Sequence, residues 1–288
     1  MIEVHQLTKD YGRHRALDAV SLHIAQGEVF GLLGPNGSGK STTLRLLLGF
    51  LRPTAGWARV AGFDCWHQSV EVRKRVAYLP GDLRLYENMT GRQLVRFLEG
   101  LRQERLGHEC DRLARRLDLE LDRPIATLSS GMKRKLALLQ VLLPRTPVLV
   151  LDEPTNTLDP TMRDALLDEL RTARARGQTV LFSSHVLSEV EQICDRVGIL
   201  SGGRLMAVRR MDELRQLFRV AVCLADDSTQ PPPLPPGATI EKHEGRRWLI
   251  RWSGPLTPLL ASLAQRTVTD LHVERIGLSA LYHRYHAP

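Results

Sequence analysis

The stretch Gly34-Pro-Asn-Gly-Ser-Gly-Lys-Ser-Thr42 decides the fold of this chain. It contains G-x-x-x-x-G-K-[ST] and lies between a strand-like run, Val29 to Leu33, and a helical run, Thr42 to Gly49. Glycines allow backbone N–H groups to curl around phosphate oxygens, and the first turn of a helix adds its positive dipole end to the same anion. The alternative, a glycine-rich turn that binds nothing, is disfavoured by this strand-loop-helix context.

A phosphate loop of this type implies ATP and Mg²⁺ as ligands. We expect Lys40 to bridge the β- and γ-phosphates and to act in catalysis, and we expect the Ser41 hydroxyl to ligate Mg²⁺. The nucleotide-binding positions predicted in the loop are Gly34, Pro35, Asn36, Gly37, Ser38, Gly39, Lys40, Ser41 and Thr42.

Two adjacent carboxylates end a second apolar strand, Val148-Leu-Val-Leu-Asp-Glu-Pro154. Strand ends of this kind lie at the carboxyl edge of the sheet, where ligands bind in open α/β folds. We assign Asp152 to Mg²⁺ and Glu153 to the general base that activates a water molecule opposite the γ-phosphate. A solvated acidic pair is the alternative; it is disfavoured because a buried strand rarely ends in two carboxylates without a cation nearby.

The order of apolar runs predicts an α/β fold class for residues 1 to about 215. Strand-like runs occur at Val29 to Leu33, Val76 to Leu79, Val148 to Leu151, Thr179 to Ser183 and Val197 to Leu200. Residues 88–145 have a mainly helical pattern and predict a helical subdomain. Residues 216–288 predict a small α+β extension with a proline-rich linker at 231–236, strands at 248–252 and 268–273, and helices at 255–264 and 278–286.

Composition excludes several classes of protein. The 288 residues are 43% hydrophobic and 25% charged, values that are ordinary for a globular protein. No apolar stretch approaches the roughly 20 residues that span a bilayer, and the N-terminus has no secretory pattern, so we expect a cytoplasmic location. The net charge of +8 comes from scattered arginines. We therefore favour a solvated basic surface and expect no nucleic-acid partner.

Three further motifs narrow the family. Leu128-Ser-Ser-Gly-Met132 resembles the signature L-S-G-G-Q of the ATP-binding cassette (ABC) ATPases, Asn156-Thr-Leu-Asp159 resembles their D-loop, and His185 resembles their switch histidine. The motifs stand in the family order and spacing, and the likeness covers residues 1 to about 215. The chain is therefore similar to the ATP-binding, ATP-hydrolysing subunit of an ABC transporter.

The resemblance implies a P-loop NTPase fold in which a RecA-like core carries an antiparallel β subdomain and a helical subdomain. It implies a homodimer in which two nucleotide-binding domains close head to tail, each ATP lying between one phosphate loop and the partner's signature. His185 then contacts the γ-phosphate and fixes Glu153 and the attacking water. The other nucleotide-binding positions that the resemblance implies are Tyr11, which stacks on adenine, Ser129, Ser130, Gly131 and Asp159.

The end of the chain, from Leu271 to Tyr285, looks like the extension of drug-exporter ATPases of the ABC-2 type. This likeness implies export of a drug-like or lipid-like compound through a separate integral-membrane permease, with the chain on the inner face of the cell membrane. One alternative is a non-transport ABC ATPase that acts on nucleic acid or ribosomes. Another is a regulatory module that binds ATP without hydrolysing it.

The sequence also departs from the family pattern. Ser130 and Met132 replace a glycine and the glutamine of the signature, and Gly81 replaces the glutamine of the Q-loop, where Asp82 could substitute as a metal ligand. We expect slower or differently gated hydrolysis. Three cations, Lys133-Arg-Lys135, crowd the first turn of the helix after the signature, where cations are normally unfavourable. Either a nearby anion or a tolerated basic surface turn accounts for them.

Overall fold

The computed structural model describes residues 1–103, 105–226 and 230–286, without the side chain of residue 286. The chain divides into two compact units, Met1–Val208 and Arg209–Pro288. The sequence places the end of the nucleotide-binding domain a few residues later, at 215, and that boundary stays a prediction.

A six-stranded sheet forms the centre of the first unit. Its strands are β3 (Val29–Leu33), β6 (Val76–Leu79), β7 (Val148–Asp152), β8 (Thr179–Ser184), β9 (Arg196–Ser201) and β10 (Arg204–Arg210), in the order β10-β9-β3-β8-β7-β6. Strands β9, β3, β8, β7 and β6 pair in parallel. Every residue of β3, β7 and β8 is buried, as expected for a parallel sheet covered on both faces. Their carboxyl ends therefore meet at one edge.

Four helices lie between or beside the strands of this sheet in the order of the chain. They are α1 (Lys40–Leu47), α2 (Ser69–Arg75), α6 (Pro160–Ala175) and α7 (Leu187–Ile193). The first begins directly after the phosphate loop, and the last follows β8 after two residues. The predicted strand-loop-helix order around Gly34–Thr42 is thus present.

A second, antiparallel sheet is built from β1 (Ile2–Tyr11), β2 (His14–Ile24), β4 (Ala55–Val60) and β5 (Phe63–Asp64), in the order β2-β1-β4-β5. Alternating residues of β1 and β2, such as Ile2, Val4 and Leu22, are buried in the same core as Leu44 and Leu47 of α1. This sheet places Tyr11 at the end of β1, where the turn to β2 begins.

The helical block contains α3 (Gly91–Arg102), α4 (Gly107–Arg116) and α5 (Ser130–Leu142), with a 3-10 turn at Ile125–Thr127. Thr90 caps α3 in a capping box with Gln93. Arg112 of α4 forms a two-pronged pair with the buried Glu169 of α6, at 2.8 and 2.7 Å. That pair connects the helical block to the main sheet's own helices.

The second unit is a small α+β structure, as the sequence predicts. It contains α8 (Met211–Arg215), β11 (Leu217–Leu224), β12 (Thr239–Glu244), β13 (Arg247–Ser253), α9 (Leu256–Leu263), β14 (Val268–Arg275) and α10 (Gly277–His286). The strands form one antiparallel sheet in the order β12-β13-β11-β14. The proline-rich segment runs between β11 and β12 of this sheet; its Leu234 packs against the unit's core, and the Pro233 carbonyl accepts a 2.7 Å hydrogen bond from Ser262.

Within the described ranges, none of the helices combines the length and the apolar character that a membrane span requires.

Candidate active site

The phosphate loop connects β3 to α1 and depends on its glycines. Gly37 and Gly39 have φ values of 78° and 105°, a backbone region that favours glycine. A Cβ at Gly34 would lie 2.5 Å from the Leu200 carbonyl oxygen and 2.5 Å from Ser38 Oγ. Only glycine therefore fits at the point where the loop leaves the strand.

Lys40, the first residue of α1, is buried with 5% of its surface exposed. Its Nζ donates to the carbonyl oxygens of Gly34 (2.7 Å) and Pro35 (3.0 Å) and lies 3.5 Å from Glu153 Oε1. Ser38 Oγ is buried without a hydrogen-bond partner among the described residues. A buried ammonium group and an unpaired hydroxyl inside a glycine loop at a helix N-terminus suit the phosphate groups of ATP.

The acidic pair stands at the end of β7, beside β8. Asp152 is 2% exposed, and its Oδ1 accepts a 2.6 Å hydrogen bond from Ser183 Oγ. The same hydroxyl accepts a 2.9 Å hydrogen bond from the Glu153 N–H. Glu153 has a φ of 47°, an uncommon value for a residue with a side chain. Its backbone is thus held in a strained conformation, which often marks a functional position.

The Glu153 carboxylate gathers three polar partners. Asn156 Nδ2 donates to Oε2 at 2.7 Å, while Lys40 Nζ and His185 Nδ1 each lie 3.5 Å from Oε1. Burial raises the pKa of Glu153, but the Asn156 hydrogen bond and the charges of Lys40 and His185 outweigh it, so the net pKa lies below the ordinary value. The carboxylate is therefore ionised at neutral pH. His185 itself is 47% exposed at the end of β8.

The start of α1 and the ends of β7 and β8 thus bring together the three predicted catalytic residues, Lys40, Glu153 and His185. The three predicted metal ligands differ in their exposure to solvent. Ser41 follows Lys40 and is half-buried, and Asp152 is buried, whereas Asp82 is exposed. A hydroxyl and a carboxylate are suitable oxygen ligands for Mg²⁺.

Other predicted nucleotide-binding residues lie at the starts of helices α5 and α6. Ser129 is exposed and caps α5 by accepting a hydrogen bond from Met132 N at 3.3 Å, with Ser130 beginning the helix. Asp159 is exposed and caps α6, accepting from Met162 N at 3.0 Å. Across the described chain, neither a hydrogen bond nor an ion pair joins these residues to Lys40.

The two remaining positions, Tyr11 and Gly131, differ in their surroundings. The Tyr11 ring is 45% exposed, with Lys9 Nζ 5.2 Å from its centroid. Gly131 faces the D-loop of its own chain, since a Cβ there would lie 3.2 Å from the Thr157 carbonyl oxygen.

Comparison with known proteins decides the family. The ABC transporter family model matches residues 17–156. The chain is 37% identical over 212 residues to Nod factor export ATP-binding protein I of Paraburkholderia xenovorans, covering 72% of this chain and 69% of that protein. It is 38% identical over 219 residues to daunorubicin resistance ATP-binding protein DrrA3 of Streptomyces coeruleorubidus, covering 74% and 69%. The chain belongs to the ABC transporter ATP-binding proteins.

Solved structures agree with this assignment. One called "Structure of ATP binding subunit of ABC transporter" is 31% identical with a TM-score of 0.69, covering 75% of this chain and 92% of that chain. A dimeric cassette in a post-hydrolysis state, bound to ADP and Pi, has a TM-score of 0.67 at 22% identity, covering 73% and 99%. The predicted fold class, a P-loop NTPase cassette, is thereby confirmed. The ABC protein binds and hydrolyses ATP as the ATPase subunit of a transporter.

Sequence reasoning missed three side chains that shape this ABC site. The sequence places Asn156 in the D-loop and Ser183 at the end of a strand, but it does not show that Asn156 binds the Glu153 carboxylate or that Ser183 accepts from the Glu153 N–H. The sequence shows Arg134 only as one of three consecutive cations, but it is 2% exposed and donates to the backbone carbonyl oxygens of Asp152 and Glu153. A buried arginine has no signal in the sequence alone, because its partners are backbone atoms.

Because α5 begins at Ser130, Arg134 and Lys135 lie in its second turn and not in the first turn as predicted, and contacts within the chain account for all three cations. Lys133 pairs with Glu87 at 2.6 Å, Lys135 lies 3.7 Å from Asp118, and Arg134 is buried on carbonyl oxygens. The interpretation of all three as a basic surface turn is therefore wrong for Arg134. An external anion is not needed to explain the cluster.

Proposed function

We propose that the chain works as a homodimer that drives export of a drug-like or lipid-like compound through a separate integral-membrane permease, from the inner face of the cell membrane. The observation that carries the ATP-driven part is the meeting of Lys40, Glu153 and His185 at the carboxyl edge of the sheet. Support for export comes from relatives named for Nod factor export and daunorubicin resistance.

In the proposed reaction Glu153 is the general base. Its lowered pKa keeps the carboxylate ionised, and its Oε1 faces both Lys40 and His185, so it can accept the proton of a water molecule held there. His185 orients the carboxylate and the water, and Lys40 neutralises charge on the phosphates. Ser41 and Asp152 would hold Mg²⁺, which would supply neutralisation of phosphate charge.

The second copy in this proposal completes the site. Ser129, Ser130 and Gly131 stand at the N-terminus of α5, where free N–H groups and the helix dipole favour an anion. Because these residues have no hydrogen bond to their own phosphate loop among the described residues, we place them against the γ-phosphate bound by the partner. Asp159 lies at the start of α6, and we assign it to the interface between the two chains. Tyr11 lies at the end of β1, and we assign it to stacking on adenine.

An exposed aromatic patch gives the permease a place to dock. Tyr86 is 56% exposed, Phe97 is 39% exposed, and their rings meet edge to face at 5.7 Å. Leu101, one helical turn further along α3, is 66% exposed. An exposed group of large apolar side chains is typical of a surface that binds another protein, so we assign this patch to a permease segment with apolar side chains.

Nucleic acid is not favoured as a partner. Several arginines that contribute to the net positive charge are paired with carboxylates of the same chain, as in Arg92–Asp122, Arg112–Glu169 and Arg116–Asp168. Their charge is therefore balanced locally rather than presented to a polyanion.

The proposed closure of two chains around ATP can be tested with a variant that binds ATP without hydrolysing it. Glu153→Gln preserves shape but removes the base, so we expect it to bind Mg-ATP and accumulate as a dimer, measured as a doubling of mass by size-exclusion chromatography with light scattering. Adding Ser129→Arg, which places a bulky side chain on the proposed partner-facing turn, should return it to monomer. A Glu153→Gln chain that binds ATP and stays monomeric would instead favour the regulatory module.

A further inference from the structure

Arg134 lies in the second turn of α5 and is almost completely buried, with 2% of its surface exposed. Arginine is rarely buried to this extent unless its donors are paired. Within the part of the chain that the structure describes, its hydrogen bonds all go to backbone carbonyl oxygens and none goes to a carboxylate. Such a side chain serves to fix the course of the backbone around it.

The acceptors belong to two loops. Nη1 donates to the carbonyl oxygens of Pro80 (2.9 Å) and Gly81 (3.2 Å), directly after β6. Nη2 and Nε donate to the carbonyl oxygens after β7: Asp152 (2.9 Å), Pro154 (3.2 Å) and, between them, Glu153. Since β6 and β7 are parallel neighbours, one planar guanidinium group joins both strand ends to the helix that follows the signature.

Glu153 is the residue most constrained by this arrangement. Its carbonyl oxygen accepts from Arg134, and its N–H donates to Ser183 Oγ at 2.9 Å. These two contacts bracket the peptide units on either side of a Cα whose φ is 47°. A left-handed conformation of this kind persists only where neighbouring groups determine it.

We propose that Arg134 is a positioning residue for hydrolysis: by holding the carbonyls on both sides of the β6–β7 edge, it keeps the backbone of Glu153 in the left-handed conformation that presents its carboxylate to Lys40 and His185. This inference rests on the proposed role of Glu153 as the base. Lysine cannot replace the Arg134 guanidinium group, because a single ammonium group cannot donate to the carbonyl oxygens of both loops at once.

The test compares Arg134→Lys with Lys133→Met in the full-length chain. Lys133 is adjacent in α5 and pairs with Glu87 of the loop after β6, but among the described residues it makes no hydrogen bond to Glu153. We expect Arg134→Lys to lower kcat by about 100-fold, the scale of a catalytic group displaced by about 1 Å, with KM for ATP little changed. Lys133→Met should keep the wild-type kcat.

A second variant guards against simple misfolding. Arg134→Gly removes the guanidinium group, and added guanidinium ion at millimolar concentration should restore part of the lost kcat. The same addition should not raise the kcat of Glu153→Gln. Wild-type kcat in Arg134→Lys, or a KM effect without a kcat effect, would overturn the inference. If wild type and Glu153→Gln hydrolyse ATP at the same rate, the proposed base itself fails, which is a different result from a fully active Arg134 variant.

Discussion

At the scale of single residues, the Asn156 amide is one of the groups that lower the pKa of the proposed base. Asn156→Ala removes the 2.7 Å hydrogen bond to Glu153 Oε2, which is among the contacts that lower the pKa of this carboxylate. The pKa should therefore rise, and because the base must be ionised, activity should be lost at a higher pH on acidification than in wild type. The pH profile of kcat measures this shift. An acidic limb that stays in place or moves to lower pH would contradict it.

Gly81 is the second residue whose predicted effect on ATP turnover can be tested. Its backbone does not occupy the left-handed region, and a Cβ would lie 3.4 Å from Asp152 Oδ2, an ordinary contact. Gly81→Gln should therefore fold and place an amide near Asp152, which should raise ATP turnover if the missing Q-loop glutamine slows hydrolysis. Gly81→Ala adds the Cβ without the amide and should match wild type in steady-state assays. Unchanged turnover in the glutamine variant would remove this hypothesis.

Motifs located Lys40, Glu153 and His185 from sequence because each stands at a fixed place beside a recognisable apolar strand. The same approach could not find the roles of Ser183 and Arg134. They lie 30 and 19 residues from Glu153 along the chain and bind its backbone, which any residue would offer equally. Tertiary structure alone brings them together.

At the scale of elements, the phosphate loop depends on close packing against β9. Gly34→Ala would place a Cβ 2.5 Å from the Leu200 carbonyl oxygen, so the loop must shift away from its position before α1. We expect at least about a tenfold loss of ATP affinity, equivalent to about 1.4 kcal/mol, measured by titration with a fluorescent ATP analogue. Gly100→Ala is the control, since nothing lies within 4 Å of a Cβ there. Wild-type affinity in Gly34→Ala would show that the loop tolerates the shift.

Buried parallel strands were the easiest elements to predict. β3, β6, β7, β8 and β9 appear as short apolar runs because both faces are covered. The antiparallel sheet was expected only through the family resemblance. Its strand β1 has irregular pairing with β2 and a left-handed residue, Gln6, which interrupt the alternation that would reveal a strand.

At the scale of the whole molecule, the second unit has a core of its own. Leu259 of α9 is fully buried there among Trp248, Ile250 and Trp252. Leu259→Ala should destabilise this unit by about 2–5 kcal/mol and leave ATP binding at Lys40 unchanged. Calorimetry together with ATP titration measures both effects. Leu260→Ala, at a position 37% exposed, should have little effect.

Equal loss of ATP binding and of C-terminal stability in Leu259→Ala would contradict this independence. The proline-rich linker predicted at 231–236 lies between strands β11 and β12 of this unit's sheet, and its Leu234 packs against the core. Proline only excludes a helix or a central strand at that point, and it does not tell whether the segment is packed.

The most direct measurement is steady-state Mg-ATP hydrolysis by the purified chain beside Glu153→Gln, with Glu120→Gln, an exposed carboxylate, as the control. We predict that Glu153→Gln loses about 100-fold or more in kcat while still binding ATP, and that Glu120→Gln keeps wild-type turnover. Turnover in Glu153→Gln equal to that of wild type would contradict the assignment of Glu153 as the base on which this account rests.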